Sequence, residues 1–121
     1  MSAETVAYST LAAAGAVTAI VSTRIYPDAV PELIPLPSIA INRDTTDYTA
    51  TIHSGLPVAV MAHTNIECMS TSRANADAIA DVCVTALASA GFYVQDRITG
   101  YVDEVPNKLW ATILKIAYWE L

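Results

Sequence analysis

Two histidines, His53 and His63, and two cysteines, Cys68 and Cys83, are the side chains of this 121-residue chain best suited to metal binding or nucleophilic chemistry. A metal ion needs ligands gathered around one point. His63 and Glu67 share a face of a strand-like stretch, but four residues of strand put them roughly 13 Å apart. Joining His63 to His53 requires the chain between them to fold back, which the sequence does not specify. A catalytic nucleophile calls for Ser, Cys or Thr in a tight glycine-flanked turn, and the surroundings of Gly15, Gly55, Gly91 and Gly100 have no such form. Cys68 and Cys83 sit in apolar surroundings, which raise a thiol pKa and leave it inert. The carboxylate pairs Asp77/Asp81, one helical turn apart, and Asp103/Glu104, at a turn, read as solvated acids. There is no glycine-rich phosphate loop. The expectation is a chain with no catalytic residues, no metal and no cofactor.

The bulk composition points to a surface made for contact. Charged residues make up 15% of the chain, against about 25% in typical domains. Apolar residues reach 54%, and mean hydropathy is +0.41. A single small domain has too much surface for its volume to hide that much apolar material easily. A membrane is the weaker explanation. The charge-free run Thr5–Thr23 is diluted by Tyr8, Ser9, Thr10, Gly15 and Thr18, and the only charge before it is Glu4, unlike the basic start of a signal peptide. Burial between subunits is the better one. Net charge is −6, with the six basic residues scattered, so a direct grip on nucleic acid is disfavoured. The cysteines have fourteen residues between them and read as small buried hydrophobes in a reducing compartment, with no disulfide indicated.

The elements that position these residues follow from periodicity. Residues 3–17 read as one Ala-rich helix capped by Ser2, with Ala7, Leu11, Ala14 and Val17 on one face. Arg24-Ile25-Tyr26 is a short strand leading into a connector with Pro27, Pro31, Pro35 and Pro37, which cannot be helix interior or central strand. Residues 38–43 read as a strand. Residues 42–57, with Tyr48 and Ile52 inside, read as a projecting hairpin or loop. The stretch 58–69 alternates cleanly, with Val58, Val60, Ala62, Thr64, Ile66 and Cys68 on the drier face, which should take the helices. Residues 71–89 form a second helix with a buried stripe Ile79, Val82, Cys83, Ala86 and Leu87, stopped by Gly91. Residues 92–104 and 109–120 are the last two strands, the final one apolar on both faces. The fold class expected is α+β, a mostly antiparallel four- to five-stranded sheet with two helices on one face, in a single domain.

Taken in order, Arg24-Ile25-Tyr26-Pro27, Pro31, Leu36-Pro37-Ser38-Ile39, the 58–69 strand, the helix bearing Ala74, Ala78, Ile79, Val82 and Leu87, and the closing Ile116-Ala117-Tyr118-Trp119 resemble the DUF3168-type tail-completion proteins of tailed phages. That group includes tail terminators and tail-to-head joining proteins. The resemblance implies a virion structural protein, made in the host bacterial cytoplasm, that assembles as a ring, usually a hexamer, at the junction of tail and head. Such a ring stops tail-tube polymerisation and docks to the head–tail connector or stopper, while DNA passes through without specific binding. Its partners would be sister copies, the tail tube protein and the connector. Tyr26, Pro27, Pro31, Leu36, Tyr48, Ile52 and Trp110 are the residues expected at intersubunit or tail-tube contacts. Asp44, Asp47, Glu67, Asp96, Asp103 and Glu104 are the acids expected to face the lumen. The nearest alternative is a head-side stopper or adaptor. From other classes come a small oligomeric enzyme or ligand-binding domain using His63, Glu67 and Asp96, and a plain cytoplasmic dimer.

Overall fold

The computed structural model describes residues 2–27, 37–50, 57–104 and 107–120, with side chains in 2–27, 37–47, 60–101 and 109–120. Along the chain come α1 (Ala3–Ala13), α2 (Gly15–Val21), β1 (Ile25–Pro27), β2 (Ser38–Ala50), β3 (Pro57–Ser70), α3 (Arg73–Ser89), β4 (Tyr93–Glu104) and β5 (Asn107–Glu120). The five strands form one sheet in the order β1-β2-β3-β5-β4. Only β1 runs parallel to its neighbour, pairing Ile25 with Ile39; the other pairings are antiparallel. Pro27 ends the short edge strand β1, a position where its missing N–H costs no ladder bond.

The helices pack on one face. Ala3, Ala7 and Leu11 of α1, Val17 and Val21 of α2, and Ile79, Ala80, Cys83 and Leu87 of α3 form one core with Ile39, Ile41, Ala62, Ile66, Cys68, Leu114 and Ile116 of the sheet. The drier face of β3 is thus the helix-bearing one, as its alternation predicts. The alanines let the helices approach the sheet closely, while the branched side chains of β2, β3 and β5 fill the layer between. Helix ends are satisfied locally. The Ser2 and Ser72 hydroxyls accept from the N–H groups of Thr5 and Asn75. At the end of α3, Gly91 takes φ +91°, and the N–H groups of Gly91 and Phe92 bond back to the carbonyls of Ala88 and Leu87, closing a Schellman motif.

One expectation needs correction. The N-terminal helix is not continuous over 3–17. It breaks at Ala14, which is extended (φ −82°, ψ 110°), and α2 leaves at 84° to α1. The sheet therefore carries three helices, not two. Apolar spacing runs through the break, so periodicity does not reveal it. Gly15 makes the break inexpensive, because glycine gives up the most chain entropy in a helix, and the bend lays Val17 and Val21 over the core. Among the described residues no single helix is long and apolar enough to cross a membrane.

A tight turn then reverses α2 into β1. The Arg24 N–H donates to the Val21 carbonyl at 3.0 Å, and Ser22 at the second position has φ 56°, ψ −125°, the geometry of a type II′ turn, which favours glycine there. Ser22→Gly is expected to stabilise the fold by roughly 1 kcal/mol, read as a rise of a few degrees in Tm by thermal unfolding.

Candidate assembly surface

The side chains singled out by sequence fall in three groups. On the face of the sheet opposite the helices lie Tyr26, Asp47, Glu67 and Asp96, set by register with Ala40, Met61, Ile113 and Lys115 respectively. Asp47, Glu67 and Asp96 thus share a face, but each stands on a different strand. Asp44 is exposed at the register shift of β2 between Arg43 and Thr45. Pro27 is exposed on the β1 edge and lines a hollow with Ser2, Glu4, Thr5, Tyr8 and Ile41. Trp110 is half-buried at the far end of β5, against Tyr101 (5.1 Å between centroids) and under the Arg73 guanidinium at 5.7 Å. Pro31, Leu36 and Ile52 lie outside the described residues, as do the side chains of Tyr48, Asp103 and Glu104. The 42–57 hairpin is β2–β3 itself: its strands pair as far as Ala50 with Pro57, whereas β5 pairs with β3 only from Val60 onward.

His63 does not meet Glu67 or Asp96. Its Nε2 lies 2.7 Å from Asp47 Oδ2 and its Nδ1 3.1 Å from Gln95 Oε1. Gln95 sits at a bulge in β4 between Val94 and Asp96 and reaches across Ala117 of β5, the residue paired with His63. The result is a polar strap over four strands. Among the described residues no group of three or more His, Cys, Asp or Glu could hold a metal.

Two arginines missed by sequence reasoning organise the rest. Arg43 on β2 binds Glu4 of α1 at 2.5 Å and Glu120 of β5 at 2.8 Å, and Glu120 also accepts the Ala3 N–H. Partial burial works against its charge, but the two carboxylates outweigh that and raise its pKa. Arg97 on β4 binds Asp81 at 2.6 Å and Asp77 at 3.3 Å, clamping the edge strand to α3. Asp77 Oδ1 also accepts from the hydroxyls of Thr99 and Thr112. Desolvation alone would raise the Asp77 pKa. The bonds from Thr112, Arg97 and Thr99 overcome it and hold the carboxyl below its ordinary value. A depressed carboxylate pKa contributes stability that is complete above the unfolded-state value, about 4, and is lost as pH falls through the lower folded value. Tm is expected to drop through this acid window in the native chain, and the Asp77→Asn variant should lose part of that slope; thermal melts from pH 6 to pH 2 measure it.

What sequence reasoning did not find is the edge itself. β4 is the last strand of the sheet. Of the six exposed large apolar side chains among the described residues, four are on β4: Tyr93 at 56%, Val94 at 37%, Ile98 at 46% and Tyr101 at 50%. Trp119, at 40%, stands on adjoining β5. The strand shows apolar groups on both faces and a row of backbone donors and acceptors along a free side. Natural proteins blunt or cover such an edge. Among the described residues β4 has one bulge, the Arg97 clamp and the exposed Asp96 as such devices.

Comparisons agree with this architecture. The family model described as "Tail completion protein gp17" matches residues 7–103. A chain in the solved structure "Virion of native gene transfer agent (GTA) particle" superposes with a TM-score of 0.71 at 21% identity, covering 95% of this chain and 91% of that one. No curated protein sequence matches.

Proposed function

We propose a role for this chain from one premise: it belongs to the tail completion protein gp17 family. It is a structural component of the virion tail and not an enzyme. The role proposed is that of a tail terminator. Copies close into a ring, six in the resemblance, at the head-proximal end of the tail tube. The ring halts tube polymerisation and joins the tail to the head connector, and DNA passes through its bore.

The observation that carries this reading is the bare β4 edge. A ring is built from heterologous contacts, in which one surface of each subunit meets a different surface of the next. A twelve-residue edge strand with four exposed apolar side chains supplies one such surface. The net charge of −6 supports the conduit part, since an acidic bore repels the DNA phosphates. Asp47, Glu67 and Asp96, sharing the helix-free face, are the acids proposed for it, with Asp44, Asp103 and Glu104. Tyr26, Pro27, Pro31, Leu36, Tyr48, Ile52 and Trp110 remain proposed contacts to sister subunits or the tube.

Electron microscopy of particles made without this protein tests the role. Overlong tails, or tails unjoined to heads, are the expected phenotype. Heads that leak DNA while tails keep normal length would instead place the protein on the head side, as a stopper.

A further inference from the structure

Resting on the ring proposed above, we infer that the strand covering the β4 edge is the outer side of β2 of the next copy of this chain, laid antiparallel to it. The register tells which backbone groups of β4 are available. The Ile39 N–H donates to the Arg24 carbonyl at 2.9 Å, so Ile39 turns its polar groups toward β1 and away from Cys68, the residue opposite. In an antiparallel pair, opposed residues either exchange both bonds or point away from each other. The N–H and C=O of Cys68 therefore turn toward Thr112 of β5, those of Thr112 turn back, and those of Thr99, opposite Thr112, point away from the sheet. The period of two puts Arg97 and Tyr101 outward as well. The Arg97 N–H agrees, since it donates to Asp96 Oδ1 of its own strand at 2.8 Å. Asp96 and the neighbouring bulge thus occupy the first part of the edge, and the open part begins at Thr99.

The same rule marks a second open edge. Beyond Ile41, no described strand pairs with the outer side of β2. Thr46 and Tyr48 stand opposite Ala62 and Val60, which share the parity of Cys68 and turn toward β5, so the backbone groups of Thr46 and Tyr48 also point outward. The two edges fit in direction. β4 runs the same way as β3, and β2 runs against it. Copies related by rotation about an axis along the strands bring β4 against β2 antiparallel, the stronger pairing, with the helices of both copies on one side. Thr99 facing Tyr48 and Tyr101 facing Thr46 supply about four backbone hydrogen bonds. β2 and β4 lie toward opposite sides of the sheet, so the contact is head-to-tail and leaves each added copy with the same open edge, as ring closure requires. Two β4 edges paired about a two-fold axis would stop at a dimer and leave β2 bare.

Amide hydrogen exchange tests the pairing on the native chain. The free subunit and complete particles are placed in heavy water, and deuterium uptake is read residue by residue. The amides of Thr46, Tyr48, Thr99 and Tyr101 are expected to exchange about a hundredfold or more slowly in the particle than in the free subunit. Those of Ile98 and Gly100, which turn toward β5, should be slow in both. Slowing at Thr99 and Tyr101 with Thr46 and Tyr48 unchanged overturns the choice of β2, and points to a second β4 or another virion protein on that edge. Slowing at none of the four, in particles where electron microscopy shows a closed ring of this chain, overturns the strand pairing and leaves the ring standing. Particles in which this chain forms no ring overturn the reading above and this contact with it.

Discussion

Tyr93→Lys combined with Ile98→Lys is expected to yield a folded subunit that no longer assembles. Both side chains are about half exposed, and both lie on the helix-free face of the edge strand, so the core loses nothing when they change. Surface substitutions of this kind usually move stability by no more than about 0.5 kcal/mol, and Tm should stay within a few degrees of the parent. Assembly is a different matter. Lysines on an edge strand are a device by which natural sheets refuse a partner strand, and two charges carried into a desolvated contact, with the single carboxylate of Asp96 between them on that face, cost several kcal/mol. Phage carrying the double variant should therefore fail to complete tails, with at least a hundredfold fall in infectious titre, since each 1.4 kcal/mol of lost contact is about tenfold in association. A variant that assembles normally would move the seam away from β4. A variant that unfolds would be uninformative about the seam, and circular dichroism of the purified subunit guards against that confusion.

The second large effect is expected in the core. Leu114 stands on β5, between β3 and β4, with no exposed surface. Leu114→Ala removes buried methyl groups and leaves a cavity that strands paired on both sides cannot close. Such changes cost about 2–5 kcal/mol, against a total stability of about 5–15 kcal/mol for a domain. Urea unfolding should show the midpoint falling at unchanged slope, and Tm should drop by about 10 °C or more. If the loss stays under 1 kcal/mol, the helix layer is not packed on this strand as described.

Much of this arrangement was legible in the chain. The alternation of Ala62, Thr64, Ile66 and Cys68 identified the helix-bearing face of β3, and Ile79, Cys83 and Leu87 identified the face of α3 that meets it. Gly91 marked the end of α3 because only a residue free to take positive φ closes that motif easily. The break at Ala14 was not legible, because alanine suits helix and the apolar spacing continues across it. Nor was the β4 edge. Its residues read as an ordinary strand, and only strand order reveals that nothing pairs with its outer side. Arg43 and Arg97 looked like scattered charges because their partners, Glu4 and Glu120 in one case and Asp77 and Asp81 in the other, are distant in sequence and are gathered by the sheet. For the acids assigned to a bore, sequence gives the charge and the fold gives the shared face of Asp47, Glu67 and Asp96; their surroundings in an assembled particle belong to a higher level of organisation than one subunit.

The Arg43 guanidinium has a wider mechanical meaning. One cation in a middle strand ties the first turn of α1 to the last residue of β5, so the outermost segments of the domain, ordinarily the first to fray, are knotted to its waist. Peeling back either one strips a counter-charge from the other. Partial opening from these two segments is thereby penalised, and a subunit under mechanical load should yield as a single block instead of unravelling segment by segment.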